Sequence, residues 1–302
     1  DDNYAALTGI TEEELDAYFA ENISELQKKY KKQVPNVRSY IRDEYLGYSW
    51  DGQTFVYNPF TLLTLFVKEQ FGDFWFRSAT PTFLMKLIKE QNYSALDILE
   101  KTVSASVLDK YEIEDISIVP LLFQTGYLTI KEFDLLDRLY TLDYPNREVA
   151  RAFSVHLLAN MNGGKTVQTD ALLNQMVRAL RKDDIEKFLQ LFSGLLKGIA
   201  YPIAKADESY FHSAFYLTAR LLGFYIDCEI MTIDGRIDAV VKTENSIYIM
   251  EFKTGNTKKA IEQIRAKGYH EKYTDDPRQK LLIGIDFDAE NKKLAGYDIQ
   301  EV

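Results

Sequence analysis

The stretch Arg236-Ile-Asp238-Ala-Val-Val-Lys242-Thr-Glu244-Asn245-Ser246-Ile-Tyr-Ile-Met-Glu251-Phe-Lys253 decides the fold of the C-terminal third of this chain. Its apolar runs, Ala239 to Val241 and Ile247 to Met250, are short and rich in β-branched residues. They flank the polar pair Glu244-Asn245, a pattern that predicts two antiparallel strands joined by a two-residue turn. With that pair as the loop, Thr243 lies opposite Ser246, and the same register sets Asp238 opposite Glu251. Residues so opposed carry Cβ atoms about 4.5 to 5.5 Å apart. Lys253 falls on their face by the period-two alternation of a strand, while Ile237, Ala239, Val241, Tyr248, Met250 and Phe252 take the other.

Three converging charges have a chemical meaning. Two carboxylates held this close disfavour joint ionisation unless a cation lies between them. Mg²⁺ answers that need, with Mn²⁺ as its substitute, because it prefers oxygen ligands and keeps several waters. The Asp238 and Glu251 carboxylates, the Phe252 carbonyl and a substrate phosphate oxygen make a suitable set. Such an ion activates a water and neutralises charge developing at phosphorus, while Lys253 orients that water or helps to deprotonate it. The competing interpretation is a surface ion pair worth about 0 to 1 kcal/mol. Against it, both strands read as buried on both faces, where unpaired charges are costly.

Working outward, Ser209 to Leu222 carries an apolar stripe at helical spacing and Gly223 closes it. A strand is expected over Tyr225 to Ile233 with a turn at Asp234-Gly235, then a helix over Thr257 to Tyr273 and strands over Leu281 to Ile285 and Leu294 to Ile299. The order is αβββαβ with a final strand. Glu208 and His212, four apart at the head of the first helix, can extend a metal or water network, or serve as an N-terminal acid and a hydrogen-bonded histidine. Lys259, Gln263 and Lys267, also spaced by four, can track a phosphate backbone or form a solvated helix face.

Upstream, Thr11 before Glu12-Glu13-Glu14 caps a helix whose apolar positions are Leu15, Tyr18, Phe19 and Ile23. An aromatic-rich region from Tyr40 to Trp75 contains the Asn58-Pro59 start of a helix over Phe60 to Glu69, and further helices are expected through Tyr111. Val119 to Gln124, Gly126, then Tyr127 to Ile130 and Leu139 to Leu142 read as a helix followed by a hairpin, a winged-helix-like order. Gly164-Lys165-Thr166 resembles the end of a phosphate-binding loop, but Ala159 stands where that motif needs glycine. A helix-ending Gly-Gly turn is expected there, and no nucleotide site within this chain. The predicted divisions are 1–112, mostly helical; 113–198, the hairpin and linking helices; and 199–302, the αβββαβ domain.

The chain of 302 residues has a net charge of −10, which excludes a surface that grips nucleic acid everywhere and demands a local site. The stretch from Tyr201 onward is closer to charge balance and is the better candidate. Cys228 is the only cysteine, so no internal disulfide or cysteine cage for zinc is possible. No run of about 18 apolar residues occurs and the acidic start lacks the zones of a signal peptide, so a cytoplasmic protein without a membrane partner is expected.

The residues resemble a family of bacterial and archaeal proteins in which an AAA-type ATPase-like segment precedes a PD-(D/E)XK nuclease domain. The resemblance is carried by Glu208-Ser-Tyr-Phe-His212, Gly235-Arg-Ile-Asp238, Ile249-Met-Glu251-Phe-Lys253 and Gln263-Ile-Arg-Ala-Lys-Gly-Tyr269. Upstream it is carried by Gly9-Ile-Thr-Glu-Glu-Glu-Leu15, Tyr57-Asn-Pro-Phe60, Leu122-Phe-Gln-Thr-Gly-Tyr-Leu128 and Pro145-Asn-Arg-Glu-Val149. It implies an α+β or α/β chain ending in a restriction-endonuclease-like domain that cleaves phosphodiester bonds, DNA being the expected polymer. Asp238, Glu251 and Lys253 are then catalytic, with Gln263 and Glu208 as accessories. His212, Lys259, Lys267 and Tyr269 are the substrate-binding candidates, and Asp238, Glu251 and Phe252 the metal-binding set. Ile237 stands where the name-giving proline would be. The resemblance places the ATPase core before Asp1 and leaves room for self-association. A module of the same fold that binds nucleic acid or a partner without cleaving it is the alternative, with the Tyr40 to Trp75 aromatics as its exposed surface.

Overall fold

The computed structural model describes residues 5–75, 82–90, 101–108, 118–198, 208–223, 225–233, 236–253, 257–288 and 293–302. They divide into two compact units, Asp1–Phe153 and Ser154–Val302.

In the first unit, α1 (Glu12–Tyr18) opens on the capping box that Thr11 predicts. The Thr11 hydroxyl accepts the Glu14 N–H at 3.2 Å, and the Glu14 carboxylate accepts the Thr11 N–H at 2.9 Å. The helix is shorter than its apolar spacing implies. Phe19 leaves helical geometry and the chain restarts as α2 (Ala20–Tyr30), so Leu15 is buried whereas Tyr18 is exposed. There follow α3 (Val37–Tyr45), the paired β1 (Leu46–Tyr48) and β2 (Val56–Tyr57), and α4 (Pro59–Lys68), whose Asn58 cap accepts the Thr61 N–H. Their core holds Leu15, Leu26, Ile41, Leu62 and Leu65 together with Tyr45, Tyr57, Phe66 and Phe74. The expectation that the aromatics of Tyr40 to Trp75 form an exposed surface is therefore corrected for these four, because a helical bundle this small fills its interior with its largest rings.

The rest of this unit runs α5 (Thr82–Glu90), β3 (Lys101–Ser104), α6 (Ala105–Leu108), α7 (Ile118–Gln124), β4 (Thr129–Asp134) and β5 (Leu139–Asp143). The three strands pair in the order β3-β5-β4. Helix, strand, helix, helix and hairpin make a winged-helix-like arrangement, with Gly126 at φ +79 turning the chain after α7. Strand β3 replaces part of the helix expected before Tyr111. Thr102 and Val103 are β-branched, and it is the distant partner Leu139–Leu142 that makes a strand of them. Helix α8 (Arg147–Met161) begins in this unit.

The second unit contains α9 (Thr166–Arg181), α10 (Ile185–Lys197) and α11 (Glu208–Leu222), then β6 (Asp227–Ile233), β7 (Arg236–Lys242), β8 (Ser246–Lys253), α12 (Thr257–Ala266), β9 (Gln279–Asp288) and β10 (Lys293–Glu301). The turn before α9 carries Gly163 and Gly164 at φ +68 and +81 and follows a helix rather than a strand. The strands form a mixed sheet in the order β10-β9-β8-β7-β6, with β8 and β9 parallel and the other pairs antiparallel. The αβββαβ order with a last strand is thus the one that periodicity predicts. The Asp234-Gly235 turn lies outside the described residues.

Both faces of this sheet are covered. Val240, Ile247, Ile249 and Leu282 pack beneath Ile261 and Ile264 of α12. On the opposite face Phe252 and Phe287 meet Phe192 of α10, and Phe252 meets Phe215 of α11. Helix α12 stops at Ala266 and not at Tyr273. Gly268 adopts φ +64, and a 3-10 turn over Tyr269–Tyr273 follows.

Candidate active site

The β7–β8 hairpin has the register that its two-residue turn dictates: Lys242 pairs with Ile247, Val240 with Ile249, and Asp238 with Glu251. Among the described residues the paired register ends at Asp238 and Glu251. Beyond that rung β7 continues to Arg236 along β6, and β8 continues to Lys253 along β9. The two strands therefore part where the acids stand, and the backbone of Phe252 and Lys253 borders the opening.

Glu251 is 1% exposed. By alternation it shares the face of Ile247 and Ile249, which pack with Ile261 and Ile264 of α12 in an apolar cluster. On its other flank, in the parallel ladder, stands Gly284. A Cβ at Gly284 would collide with the Thr257 carbonyl oxygen and come within 3.1 Å of Ala260 Cβ and Ile261 Cγ1. The missing side chain lets α12 lie against the sheet beside the buried acid. One step along the ladder, Asp286 pairs in register with Lys253, so alternation puts a further carboxylate on the face of the site.

The turn of the hairpin is held from the α9–α10 connection. Asp183 adopts φ +55, a left-handed conformation that Asp tolerates better than most residues. Its carboxylate accepts the Thr243 hydroxyl at 2.5 Å, the Asn245 amide at 2.8 Å and the Tyr248 hydroxyl at 3.0 Å. Burial would push this carboxyl up, and those hydrogen bonds outweigh it and hold it below the usual carboxylate range. Burial also raises the Tyr248 hydroxyl to about 12, so it stays a donor to Asp183.

Of the residues singled out in the sequence, the fold brings Asp238, Glu251, Phe252 and Lys253 to one opening by their backbone positions. For Asp238 and Lys253 the side chains lie outside the described residues, as do those of Glu208 and His212, which occupy the first turns of α11, and of Tyr269 in the 3-10 turn. Lys259 is exposed on α12 and Gln263 is half-buried. Lys267, just past the end of that helix, places Nζ 3.7 Å from Glu251 Oε1. Sequence reasoning missed three features. Asp183 has no motif, Gly284 had its signal in an isolated glycine within an apolar strand, and Asp286 needs the parallel register, which no local turn sets.

Among the described residues no group of three or more His, Cys, Asp or Glu side chains forms a metal cluster. Among the described residues, the groups at this rung that could hold a cation, the Glu251 carboxylate and the Phe252 carbonyl, present oxygen. A buried Glu251 carboxylate, with Asp238 in register and the Phe252 carbonyl beside it, fits a hard divalent cation and not a soft one.

Residues 206–295 match the model of the PD-(D/E)XK nuclease superfamily. The matched segment runs from just before α11 into β10 and contains every candidate site residue named above except Asp183. The whole chain is also similar to an uncharacterised protein encoded in the vnfD 5' region of Azotobacter chroococcum mcd 1, with 32% identity over 313 residues. That alignment takes in 100% of this chain, which spans 58% of the relative's length. No solved structure matches the chain.

Proposed function

We propose that the unit Ser154–Val302 is a metal-dependent nuclease that hydrolyses phosphodiester bonds of DNA. The observation that carries this is the last rung of the β7–β8 ladder, where Glu251, buried to 1% exposure, stands in register with Asp238 within the superfamily match. Glu251 and Asp238 would hold Mg²⁺, or Mn²⁺ in its place, with the Phe252 carbonyl as a further oxygen. When bound, the ion supplies Lewis acidity at phosphorus and a more acidic water. Lys253, on the same face by alternation, would position a water for in-line attack, in which the water gives up a proton to solvent as the new P–O bond forms and the bond to the leaving sugar oxygen breaks. The leaving oxygen takes up a proton from solvent.

Around that centre, Gln263 and Glu208 serve as accessory groups, and Lys259, His212 and Tyr269 contact the strand backbone. Phosphate contacts of this kind position a polymer without reading its sequence. Among the described residues no helix is long and apolar enough to cross a membrane. A cytoplasmic setting, self-association and an upstream ATPase-like segment belong to the same proposal.

The test is cleavage of labelled single-stranded, double-stranded and branched DNA and of RNA, with Mg²⁺ or Mn²⁺ and with chelator. Cutting of DNA that chelator abolishes is expected. Protein inert on every polymer with both ions present overturns the proposal, and preference for RNA overturns its choice of substrate.

A further inference from the structure

By their spacing of four, Lys259, Gln263 and Lys267 can track a phosphate backbone or form a solvated helix face. In the fold their surroundings differ. Lys259 is exposed, whereas Lys267 is only 23% exposed and reaches inward to Glu251 Oε1 at 3.7 Å. We propose that Lys267 is a built-in counter-ion for Glu251 which a divalent cation must displace, so that metal occupancy is set by competition with the protein's own ammonium group. This rests on the reading of Glu251 as a metal ligand.

A carboxylate with 1% exposure has lost nearly all its water, and a charge so placed is tolerable only with a counter-charge close by. An ammonium and a divalent ion each satisfy that need, but together they repel, and at a few ångströms in a poorly solvated site the repulsion is large. The lysine is also placed to move. It follows Ala266, the last residue of α12, and precedes Gly268 at φ +64, so its four-carbon arm can swing out without unpacking Ile261 and Ile264 from the sheet.

The experiment compares wild-type protein, Lys267→Met, Lys267→Gln and Glu251→Gln by calorimetric titration with Mn²⁺ and by thermal unfolding with and without it. Without metal, both lysine variants should unfold at lower temperature than wild type. Their Mn²⁺ affinity should be tighter on the order of tenfold, within the usual span of coupled binding, and saturating Mn²⁺ should narrow the stability gap. Binding that appears in the lysine variants alone supports the proposal equally. Should Lys267→Met fail to fold, Lys267→Gln keeps a hydrogen-bonding head and carries the comparison. If wild-type binding vanishes in Glu251→Gln but the lysine variants bind no more tightly than wild type, the counter-ion is refuted and the nuclease reading stands. If neither wild type nor the lysine variants take up Mn²⁺, the assignment of Glu251 as a ligand fails and this proposal with it.

Discussion

Glu251 and Gly284 are register partners across the parallel β8–β9 ladder, and the helix that roofs the acid rests on that glycine. Gly284→Ala sets a methyl against the Thr257 carbonyl oxygen, which is backbone and cannot rotate away. Overpacking of this sort costs about 1 to 3 kcal/mol. The helix is expected to lift at its first turn, lowering both the denaturant midpoint and metal-dependent cleavage, with larger effects for Gly284→Val. Unchanged stability in the alanine variant would show that α12 does not depend on this close approach.

Asp183 ties the β7–β8 turn to the α9–α10 connection through Thr243, Asn245 and Tyr248. Hydrogen bonds to a charged acceptor contribute roughly 1.5 to 3 kcal/mol, so Asp183→Ala should destabilise the second unit by about that amount. Alanine also fits φ +55 poorly, whereas Asp183→Asn keeps a left-handed-tolerant residue and an acceptor and should lose less. Hydrogen exchange at the amides of Thr243 and Ser246 reads the effect directly. Exchange rates equal to wild type in the alanine variant would sink the clamp.

Glu251→Gln preserves shape while removing the charge that a divalent ion needs. Cleavage should fall by a factor on the order of 10³, the scale of losing a group that stabilises the transition state electrostatically. The variant should fold, because the neutral amide relieves a buried charge, though it forfeits the contact with Lys267. Full activity in folded Glu251→Gln would remove Glu251 from the reaction.

How much of this was legible beforehand follows from the range of the forces involved. The β7–β8 hairpin, its register and the Asp238–Glu251 rung were readable because a two-residue turn fixes every pair beyond it. The Thr11 and Asn58 caps were readable for the same reason, since each acts within four residues. Strand β3 was not, because Thr102 and Val103 owe their conformation to Thr141 and Tyr140, far along the chain. The burial of Tyr45 and Tyr57 was equally hidden, since composition reports aromatic content and not which side faces the core. Within the site, Asp286 beside Lys253 and Lys267 over Glu251 depend on a parallel crossover and on where α12 ends, neither of which a local pattern sets.

In the first unit a buried acid makes stability depend on pH. Glu148 is 1% exposed, its carboxylate accepting the Trp75 N–H at 2.7 Å and the Thr61 hydroxyl at 3.3 Å. Burial pushes its carboxyl up to about 7, nearby Asp73 adding to the rise and the backbone N–H groups of Trp75 and Phe74 opposing it. The folded state thus holds the proton more tightly than the unfolded chain. Its contribution is whole below the ordinary glutamate range near 4.5, declines as pH rises, and is gone above about 7. The full loss over that window is about 3 kcal/mol, because each tenfold difference in proton affinity between the two states is worth about 1.36 kcal/mol. Glu148→Gln, permanently neutral, should escape this decline, so its stability relative to wild type should grow between pH 4.5 and 7 and then level off. Urea unfolding followed by tryptophan fluorescence at several pH values measures it, and parallel profiles for the two proteins would show that Glu148 is ionised in the fold throughout.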